Sequence, residues 1–298
     1  MNLEDLRTFV EVADTGGVAQ AARRLGQSKS IVSRRLAQLE EVLGVQLLSR
    51  TTRGSALTEA GATFREHAAR VLSELEAASD ALSPEGPLRG YLRVAAPLSF
   101  GVTQLSRVLA ELARRHPLLN VDTSYSDRFV DLVGEGFDCG IRLGLLPDSS
   151  MLARRICAFR GMLVASPEYL EAHGTPLTLA DLADHQTVTK KGEVWPLRDG
   201  DQAAPFRPRS RFHADNGEAI LAAALAGIGI AALPDFLTQP HIAAGKLVTV
   251  LTEYAAPEAG MYVVRPPGAF RSRKVSVLTD ILIEYFGDTR MALPAVTR

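Results

Sequence analysis

The sequence predicts a multidomain α/β protein with a small helical domain, a long connecting helix and a larger two-lobed α/β domain. Three observations lead to this prediction. Apolar residues recur at helical spacing over residues 3–43, and the same spacing continues without interruption over residues 59–82. From residue 88 onward, short apolar strands alternate with helices. A chain of 298 residues can hold two or three domains, each with its own core.

The first domain begins with three predicted helices. Leu3 to Asp14 is amphipathic, and Val18 to Leu25 carries small and aliphatic residues on one face. Gly26 can adopt the left-handed conformation that ends a helix, and Ser28 can cap the next helix, from Lys29 to Leu43. This layout is that of a helix-turn-helix whose second helix enters the major groove of DNA. A plain helical hairpin with a solvated charged face is the alternative.

The charge distribution supports DNA binding at this place. Seven basic residues and two acidic ones lie between Arg23 and Arg53, a local net charge of +5, whereas the whole chain carries −1. Basic charge is therefore concentrated where a polyanion would dock. With 46% hydrophobic and 22% charged residues, the composition excludes a disordered chain and a membrane protein. No apolar run approaches the roughly 18 residues of a membrane span.

The next segments predict a β-wing and a dimer helix. Val45–Arg50 and Ala56–Thr58 are short extended pieces around arginines and hydroxyls that could meet phosphates, although an ordinary basic loop is the alternative. A long helix then opens at Glu59. Its apolar residues follow a near-heptad pattern, which predicts a coiled-coil dimer. Packing of the helix on its own domain is the competing view. The apolar residues are Ala60, Phe64, Ala68, Val71, Leu75, Ala78 and Leu82. The stretch Ser83–Pro87 ends the helix.

The remaining chain predicts βαβ units and a mostly parallel sheet in each of two lobes. Predicted strands include Tyr91–Ala96, Asn120–Tyr125 and Phe137–Leu143, with a short helix over Asp127–Gly134. The chain crosses near Gly161–Ala165 and returns through a strand at Met261–Val264. We predict three parts: residues 1–58 for DNA binding, 59–87 for the linker helix and hinge, and 88–298 for the two-lobed domain. Within the last part, lobe I covers about 88–163 and 268–298, and lobe II about 164–267.

Several stretches resemble the LysR-type transcriptional regulators. In the N-terminal region the similar stretches are Ala21–Leu25, Ser30–Leu36, Leu39–Glu40, Leu43–Val45, Leu47–Thr51 and Leu57–Gly61. Further along they are Ser126–Arg128, Phe137–Gly144, Ser166–Leu170 and Ala226–Pro234. The resemblance covers the chain to about Phe286. It implies a winged helix-turn-helix, a linker helix and a sensor domain like the periplasmic binding proteins, in dimers that commonly pair into tetramers. Family members commonly carry Gln at the position of Lys29 and a small residue at that of Ile31, so base preference should differ here.

We assign DNA contacts to the start of the second helix and to the wing. Ser33 and Arg34 face the groove, and backbone N–H groups with short hydroxyls at the helix N-terminus can hold phosphate. The complete set of expected DNA contacts is Ser28, Lys29, Ser30, Ser33, Arg34, Arg50, Thr51 and Arg53. For Arg24 and Arg35, DNA contacts and solvated charges are both open.

We expect a small-molecule effector to bind between the lobes, because ligands of open α/β sheets gather at strand ends. The expected residues are Leu98, Ser99, Phe100, Ser126, Asp127, Arg142, Trp195 and Asn216. Each has a structural alternative: Ser99 could be a simple helix cap, Arg142 a salt-bridge partner and Trp195 a core residue. The effector is expected to be an organic acid or an aromatic compound.

The predicted function is a transcriptional regulator that binds double-stranded operator DNA as a homodimer or homotetramer. An activator would also contact RNA polymerase. The N-terminus lacks the features of a signal peptide and two cysteines form no ligand cluster, so we expect a cytoplasmic protein with no cofactor, metal or membrane partner. A redox sensor using Cys139 and Cys157 is the first alternative. An enzyme is another, but the partial glycine pattern Gly227-Ile228-Gly229 precedes a strand instead of following one. An effector-independent architectural DNA binder would leave the two-lobed half without a purpose.

Overall fold

The computed structural model describes residues 1–51, 54–82, 86–144, 146, 149–254, 256–267 and 272–287. The N-terminal part comprises α1 (Leu3–Thr15), α2 (Val18–Arg24), α3 (Lys29–Leu43), β1 (Leu48–Thr51), β2 (Gly54–Leu57) and α4 (Glu59–Leu82). Strands β1 and β2 pair antiparallel and form the wing. The predicted helices therefore occur, and the predicted extended pieces form a hairpin.

Local capping sets the limits of these helices. Asn2 and Asp5 form a capping box at the start of α1, and the Ser28 hydroxyl accepts a hydrogen bond from the Ile31 N–H at the start of α3. Gly44 ends α3 in the left-handed conformation that glycine adopts without strain. Buried Phe9, Val12, Val32 and Leu39 join the helices in one core.

Helix α4 divides its apolar seam between two environments. The Phe64 ring packs against Phe9 with ring centroids 5.5 Å apart, and Ala68 is buried in the same core. Val71 and Leu75, one turn apart, stay exposed. The first half of the seam thus packs on its own domain, which was the competing view, and the second half leaves an apolar surface.

The rest of the chain alternates strands and helices. Up to the first crossing the elements are β3 (Gly90–Ala96), α5 (Leu98–Phe100), a π turn (Gly101–Leu105), α6 (Ser106–Arg115), β4 (Leu119–Tyr125), β5 (Cys139–Gly144) and β6 (Leu152–Phe159). They continue with β7 (Gly161–Ala165), α7 (Pro167–His173), α8 (Leu179–Leu182), β8 (Thr187–Thr189), β9 (Arg198–Asp199), β10 (Gln202–Ala203) and β11 (Ser210–His213). The last are α9 (Gly217–Leu225), β12 (Ile230–Pro234), α10 (Asp235–Ala243), β13 (Val248–Thr249), a 3₁₀ turn (Thr252–Tyr254), β14 (Ala259–Arg265) and α11 (Arg273–Phe286).

These elements form two five-stranded sheets, one in each lobe. The strand order is β4-β3-β5-β14-β6 in lobe I and β11-β8-β12-β7-β13 in lobe II. In each sheet two pairings are parallel and two antiparallel. The expectation of mostly parallel sheets is therefore wrong, because β7 and β14, the strands that enter each lobe from the other, run against their neighbours.

The strand pairings shift the lobe limits. Strand β7 begins at Gly161 and pairs in the lobe II sheet, so the crossing lies at Arg160 and the predicted limit after residue 163 is late. Strand β14 pairs with β5 and β6 in lobe I, so lobe II ends before Ala259 and not at 267. Antiparallel pairing across a chain crossing leaves no local sequence signal at either limit.

The segment after β4 forms turns where a short helix was expected over Asp127–Gly134. The Asp131 carboxylate accepts hydrogen bonds from the N–H groups of Val133 and Gly134, each 3.1 Å long. A side chain that takes these donors competes with the helical hydrogen bonds. The result is a compact loop from Ser126 to Phe137 between β4 and β5.

Candidate functional site

The exposed surface of α3 carries the polar residues expected to meet DNA. Ser28, Lys29, Ser30, Ser33 and Arg34 are all exposed at its first turns. The opposite side of the helix buries Val32, Leu36 and Leu39, which holds it against α1. Within the described residues, Lys29 and Arg34 make no ion pair, so their charges remain available to phosphates or base edges.

Two neighbouring arginines are engaged inside the domain instead. Arg35 Nη1 lies 3.3 Å from Glu4 Oε2 and 3.4 Å from Thr8 Oγ1, and Arg24 Nη1 lies 3.3 Å from Glu11 Oε1. Burial raises the pKa of Glu11, and the hydrogen bond from Arg24 opposes that rise. These contacts favour a structural role for both arginines.

The wing follows directly on α3. Arg50 and Thr51 lie in β1, and Thr51 pairs with Gly54 of β2. Arg53 lies outside the described residues. The wing thus stands next to the helix-turn-helix in the order expected from the sequence.

A cavity of about 660 Å³ lies between the two lobes, which is the size of a small-molecule site. Ser99 and Phe100 line it from lobe I, and Gly217 and Ile220 line it from lobe II. The lobes approach closely here: a Cβ atom on Gly217 would stand 3.0 Å from Ser99 Oγ. The N-terminal ends of α5 and α9 therefore meet across the cavity.

Ser99 has no partner for its side chain. Its Oγ is buried and forms no hydrogen bond with any described residue. A buried hydroxyl without a partner is unfavourable by about 1–3 kcal/mol, unlike the large majority of buried polar atoms in proteins. This hydroxyl is consequently free to bond a ligand that enters between the lobes.

Arg142 brings a positive charge to the same cavity. Its Nη2 donates to the Val130 carbonyl at 2.9 Å and its guanidinium lies 5.3 Å from the centroid of the Phe129 ring. Burial lowers the pKa of Arg142. No carboxylate pairs with Arg142 among the described residues, so an anionic group could bind there.

Ser126 and Asp127 also line the cavity, but the side-chain oxygens of both already accept hydrogen bonds from backbone N–H groups. Ser126 Oγ accepts from the Arg128 N–H at 3.3 Å, and Asp127 Oδ1 accepts from the Leu98 N–H at 3.0 Å. The Asp127 carboxylate therefore holds the start of α5 in place. Leu98 itself does not line the cavity.

Two further expected residues lie elsewhere. Asn216 is the cap of α9, where its Oδ1 accepts from the Ala219 N–H at 2.9 Å, and it stands beside the lining residue Gly217. Trp195 is buried in the lobe II core against Phe206 and does not line the interlobe cavity. The expectation that Trp195 forms a wall of this cavity is wrong, because its side chain packs in a core cluster with Leu163 and Ile230.

Sequence reasoning missed the aromatic and basic residues that complete the cavity. Phe159 and Phe236 come from the two lobes and meet edge to face with ring centroids 6.4 Å apart. Lys190 follows the carboxyl end of β8, so the strand-end rule that selected Ser99 and Ser126 would also have found it.

A buried ionic cluster joins the DNA-binding part to lobe I. Asp14 at the end of α1 accepts from Arg65 Nε of α4 at 2.7 Å and from Arg93 Nη1 of β3 at 2.7 Å. Arg65 Nη2 also donates to the Glu135 carbonyl at 2.9 Å, and Arg93 Nη1 donates to the Gly136 carbonyl at 3.1 Å. These carbonyls belong to the loop after β4 whose earlier residues line the cavity.

The two cysteines are buried thiols in lobe I. Burial raises the pKa of Cys139 strongly and that of Cys157 to about 11, so both are protonated at neutral pH. Reactive cysteines have a depressed pKa and solvent access, which argues against the redox alternative. Among the described residues there is no cluster of three or more metal-binding side chains and no helix that could cross a membrane.

In a comparison with known proteins, the two halves of the chain match two family models, both of LysR proteins. Residues 3–62 match the bacterial regulatory helix-turn-helix proteins of the lysR family, and residues 85–287 match the LysR substrate binding domain. An HTH-type transcriptional regulator of Xanthomonas campestris is 35% identical over 95% of this chain and 85% of its own length. The regulator CrgA of Neisseria meningitidis serogroup C is 35% identical over 96% of this chain and 98% of its own length.

Solved structures agree with this comparison. CrgA, described as a LysR-type transcriptional regulator from Neisseria meningitidis, matches with a TM-score of 0.58 and 33% identity over 97% of this chain and all of that one. The Vibrio cholerae virulence activator AphB matches with a TM-score of 0.59 and 26% identity over 96% of this chain and 99% of that one. Both similarities extend from the helix-turn-helix through the two lobes.

Proposed function

The chain belongs to the LysR family of transcriptional regulators, and we propose that a small anionic effector bound between its lobes controls how its α3 helices read an operator. We retain residues 1–58, 59–87 and 88–298 as the proposed DNA-binding, linker and effector parts. The proposed DNA contacts are Ser28, Lys29, Ser30, Ser33 and Arg34 on α3 with Arg50, Thr51 and Arg53 of the wing. The place of action is the cytoplasm, where operator DNA is accessible. Binding, and not catalysis, is the proposed chemistry of the cavity.

The observation that carries the effector proposal is the unpartnered Ser99 hydroxyl facing Gly217. A ligand oxygen that bridges the N-terminal ends of α5 and α9 would satisfy that hydroxyl and hold both lobes. Arg142 supplies a cation that no carboxylate of the described residues pairs with, and the Phe159–Phe236 pair supplies an apolar wall. Together they favour an aromatic or aliphatic carboxylate.

The proposed route from the cavity to DNA is the loop between β4 and β5. Ser126 to Leu132 line the cavity, and the carbonyls of residues 134–136 bond Arg65 and Arg93, which hold Asp14 of the DNA-binding part. A ligand that binds one conformation of this loop more tightly than another shifts the equilibrium between the two conformations by that difference in binding free energy, and with it the position of the DNA-binding part. Dimerisation through the exposed half of the α4 seam would space two recognition helices for a two-fold-symmetric operator, and tetramers would pair such dimers.

Ligand charge tests the effector half of this proposal. Benzoate and benzamide have the same ring, but only benzoate carries an anionic group. We expect benzoate to raise the melting temperature of the full-length protein with increasing concentration, and benzamide to raise it much less. Arg142→Gln and Ser99→Ala should each weaken the benzoate effect, whereas Arg107→Ala, at an exposed site on α6, should not. Equal effects of both compounds on the wild-type protein would contradict an anion site.

DNA binding is tested separately by fluorescence anisotropy on a selected operator. Arg34→Ala should lose the preference for that sequence, with Arg107→Ala as the matched loss of charge. If benzoate shifts the melting temperature and leaves operator affinity unchanged, the cavity binds carboxylates without controlling DNA.

A further inference from the structure

A second cavity, of about 420 Å³, lies at the hinge where the chain passes between the lobes. Phe159, Arg160 and Gly161 line it from the first crossing, and Ala256 and Glu258 line it from the second. This hinge cavity has the volume of a small-molecule site. Any molecule bound there would touch both connections on which the angle between the lobes depends.

The hinge cavity and the interlobe cavity share a wall. Phe159 and Ala232 line both of them. The Phe159 ring also packs edge to face on Phe236, which belongs to the interlobe cavity alone. A ligand in the hinge cavity would therefore contact Phe159 and could change the packing of the aromatic wall of the interlobe cavity.

Trp195 is the polar group that the hinge cavity leaves without a partner. This residue lines the cavity, is 1% exposed, and its Nε1–H donates to no described residue. In the part of the chain that the structure describes, the other such side-chain atom is Ser99 Oγ of the interlobe cavity. Two backbone hydrogen bonds of 2.9 Å join Trp195 to Phe206, and the two rings pack with centroids 5.8 Å apart, so the indole is held in place. A held donor without an acceptor is costly unless a ligand supplies one.

Leu251 gives the same cavity a strained backbone. Its φ is +51°, and it is the one non-glycine residue with positive φ in the described segments. For a bulky side chain this conformation is a genuine outlier, and such outliers cluster at ligand-binding sites because surrounding structure must hold them. Leu251 lines the hinge cavity. Two unfavourable features, one polar and one conformational, thus border a single space.

The charged side chains that line the cavity favour an uncharged ligand over an anion. Two carboxylates, those of Asp235 and Glu258, and one guanidinium, that of Arg160, line the cavity. Both carboxylates already accept hydrogen bonds: Asp235 from the Arg160 and Phe236 N–H groups at 3.2 and 2.8 Å, and Glu258 from Arg155 at 2.8 Å. A ligand of this cavity therefore needs an oxygen that accepts a hydrogen bond from the indole N–H, and an otherwise apolar surface that fits the walls.

We infer that the hinge cavity is a second ligand site, for an uncharged and largely apolar small molecule with a carbonyl or hydroxyl oxygen that accepts a hydrogen bond from Trp195 Nε1–H. A ligand of this kind differs in charge from the one proposed between the lobes. The two sites can therefore receive different signals and act on the same hinge.

The single tryptophan makes this inference directly measurable. Trp195 is the only tryptophan in the sequence, so the full-length protein labelled with ¹⁵N-tryptophan has one indole N–H signal. Coumarin, an uncharged bicyclic lactone, serves as the probe. We expect a saturable downfield shift of this signal as coumarin is added, because a new acceptor deshields the proton. Trp195→Phe should weaken coumarin affinity roughly fivefold in calorimetric titrations, the effect of losing one hydrogen bond.

Two further variants locate the binding. Ala256→Leu fills the hinge cavity from a half-buried position and should abolish the indole shift while the protein stays folded. Ser99→Ala alters the interlobe cavity and should leave the shift intact. An indole signal that stays in place at millimolar coumarin would overturn the inference. A coumarin response that survives Ala256→Leu but disappears in Ser99→Ala would also overturn it, because the probe would then occupy the interlobe cavity.

Discussion

Asp14 Oδ2 lies 2.7 Å from Arg93 Nη1, although 79 positions separate the two residues along the chain. This contact ties α1 of the DNA-binding part to β3 of lobe I, with Arg65 of α4 on the other carboxylate oxygen. One buried carboxylate therefore pairs with two guanidiniums that come from different parts of the protein.

Replacing Asp14 should destabilise the protein much more than replacing a surface carboxylate. Asp14→Ala removes the carboxylate partner of the buried Arg65 and leaves Arg93 with Asp122 alone among the described carboxylates, 3.5 Å away, which should cost about 3 kcal/mol. Glu4→Ala removes the exposed partner of Arg35 and should cost less than about 1 kcal/mol. Urea unfolding followed by circular dichroism measures both variants. Similar unfolding midpoints would show that the cluster contributes no more than a surface ion pair.

Two serines of the same helical stretch should differ in how their replacement by alanine affects stability. The Ser99 hydroxyl is buried and bonds no residue that the structure describes, so Ser99→Ala should leave the melting temperature unchanged or raise it. Ser106 Oγ donates to the Gly101 carbonyl at 2.8 Å and lies 3.0 Å from Tyr125 Oη, so Ser106→Ala should destabilise by about 1 kcal/mol. Thermal unfolding without ligand tests the pair. Destabilisation by Ser99→Ala would mean that its hydroxyl is already bonded.

The stability of the protein should decrease below about pH 6.5 in part through His185. Burial, and then the nearby His173, lower the pKa of His185, whereas Asp181 and Asp184 act in the opposite direction. Its ring Nδ1 lies 3.1 Å from Tyr169 Oη in lobe II. Because folded His185 binds a proton less readily than the unfolded residue, its contribution is complete above the unfolded pKa of about 6.5 and is lost as pH falls.

The comparison of wild type with His185→Gln isolates this effect. The difference in unfolding free energy between the two proteins should narrow from pH 7.5 to pH 5.5, since only the wild type loses the contribution. Other titrating groups are common to both and cancel. A difference that stays constant or widens over this range would contradict the lowered pKa.

The exposed half of the α4 seam should control dimerisation. Val71 and Leu75 are 50% and 42% exposed on one face of the helix, which is unfavourable unless a second chain covers them. Leu75→Glu should shift the sedimentation of the protein towards a 32.1 kDa monomer. Thr63→Glu, at an exposed site nearer the start of α4, is the matched control and should sediment like wild type. Dimers that persist in Leu75→Glu would place the subunit interface elsewhere.

Local signals were sufficient to predict much of the fold. Ser28 caps α3 as predicted and the helix ends at Leu43, the predicted last residue, because capping depends on neighbours in sequence. Ser99 and Ser126 line the interlobe cavity as expected from their positions after strands. Trp195 was misplaced, because no local pattern tells on which side of a lobe a loop packs. The Asp14–Arg93 contact depends on how distant parts of the chain dock, and neither residue stands out in the sequence.

The most direct measurement of the central claim is binding of fragmented genomic DNA to the purified full-length protein, followed by sequencing of the bound fragments. The account of α3 as the recognition helix predicts enriched two-fold-symmetric sites that disappear in Arg34→Ala and persist in Arg107→Ala. Enrichment that is unchanged in Arg34→Ala, or binding to all fragments that merely follows salt concentration, would contradict sequence reading by α3.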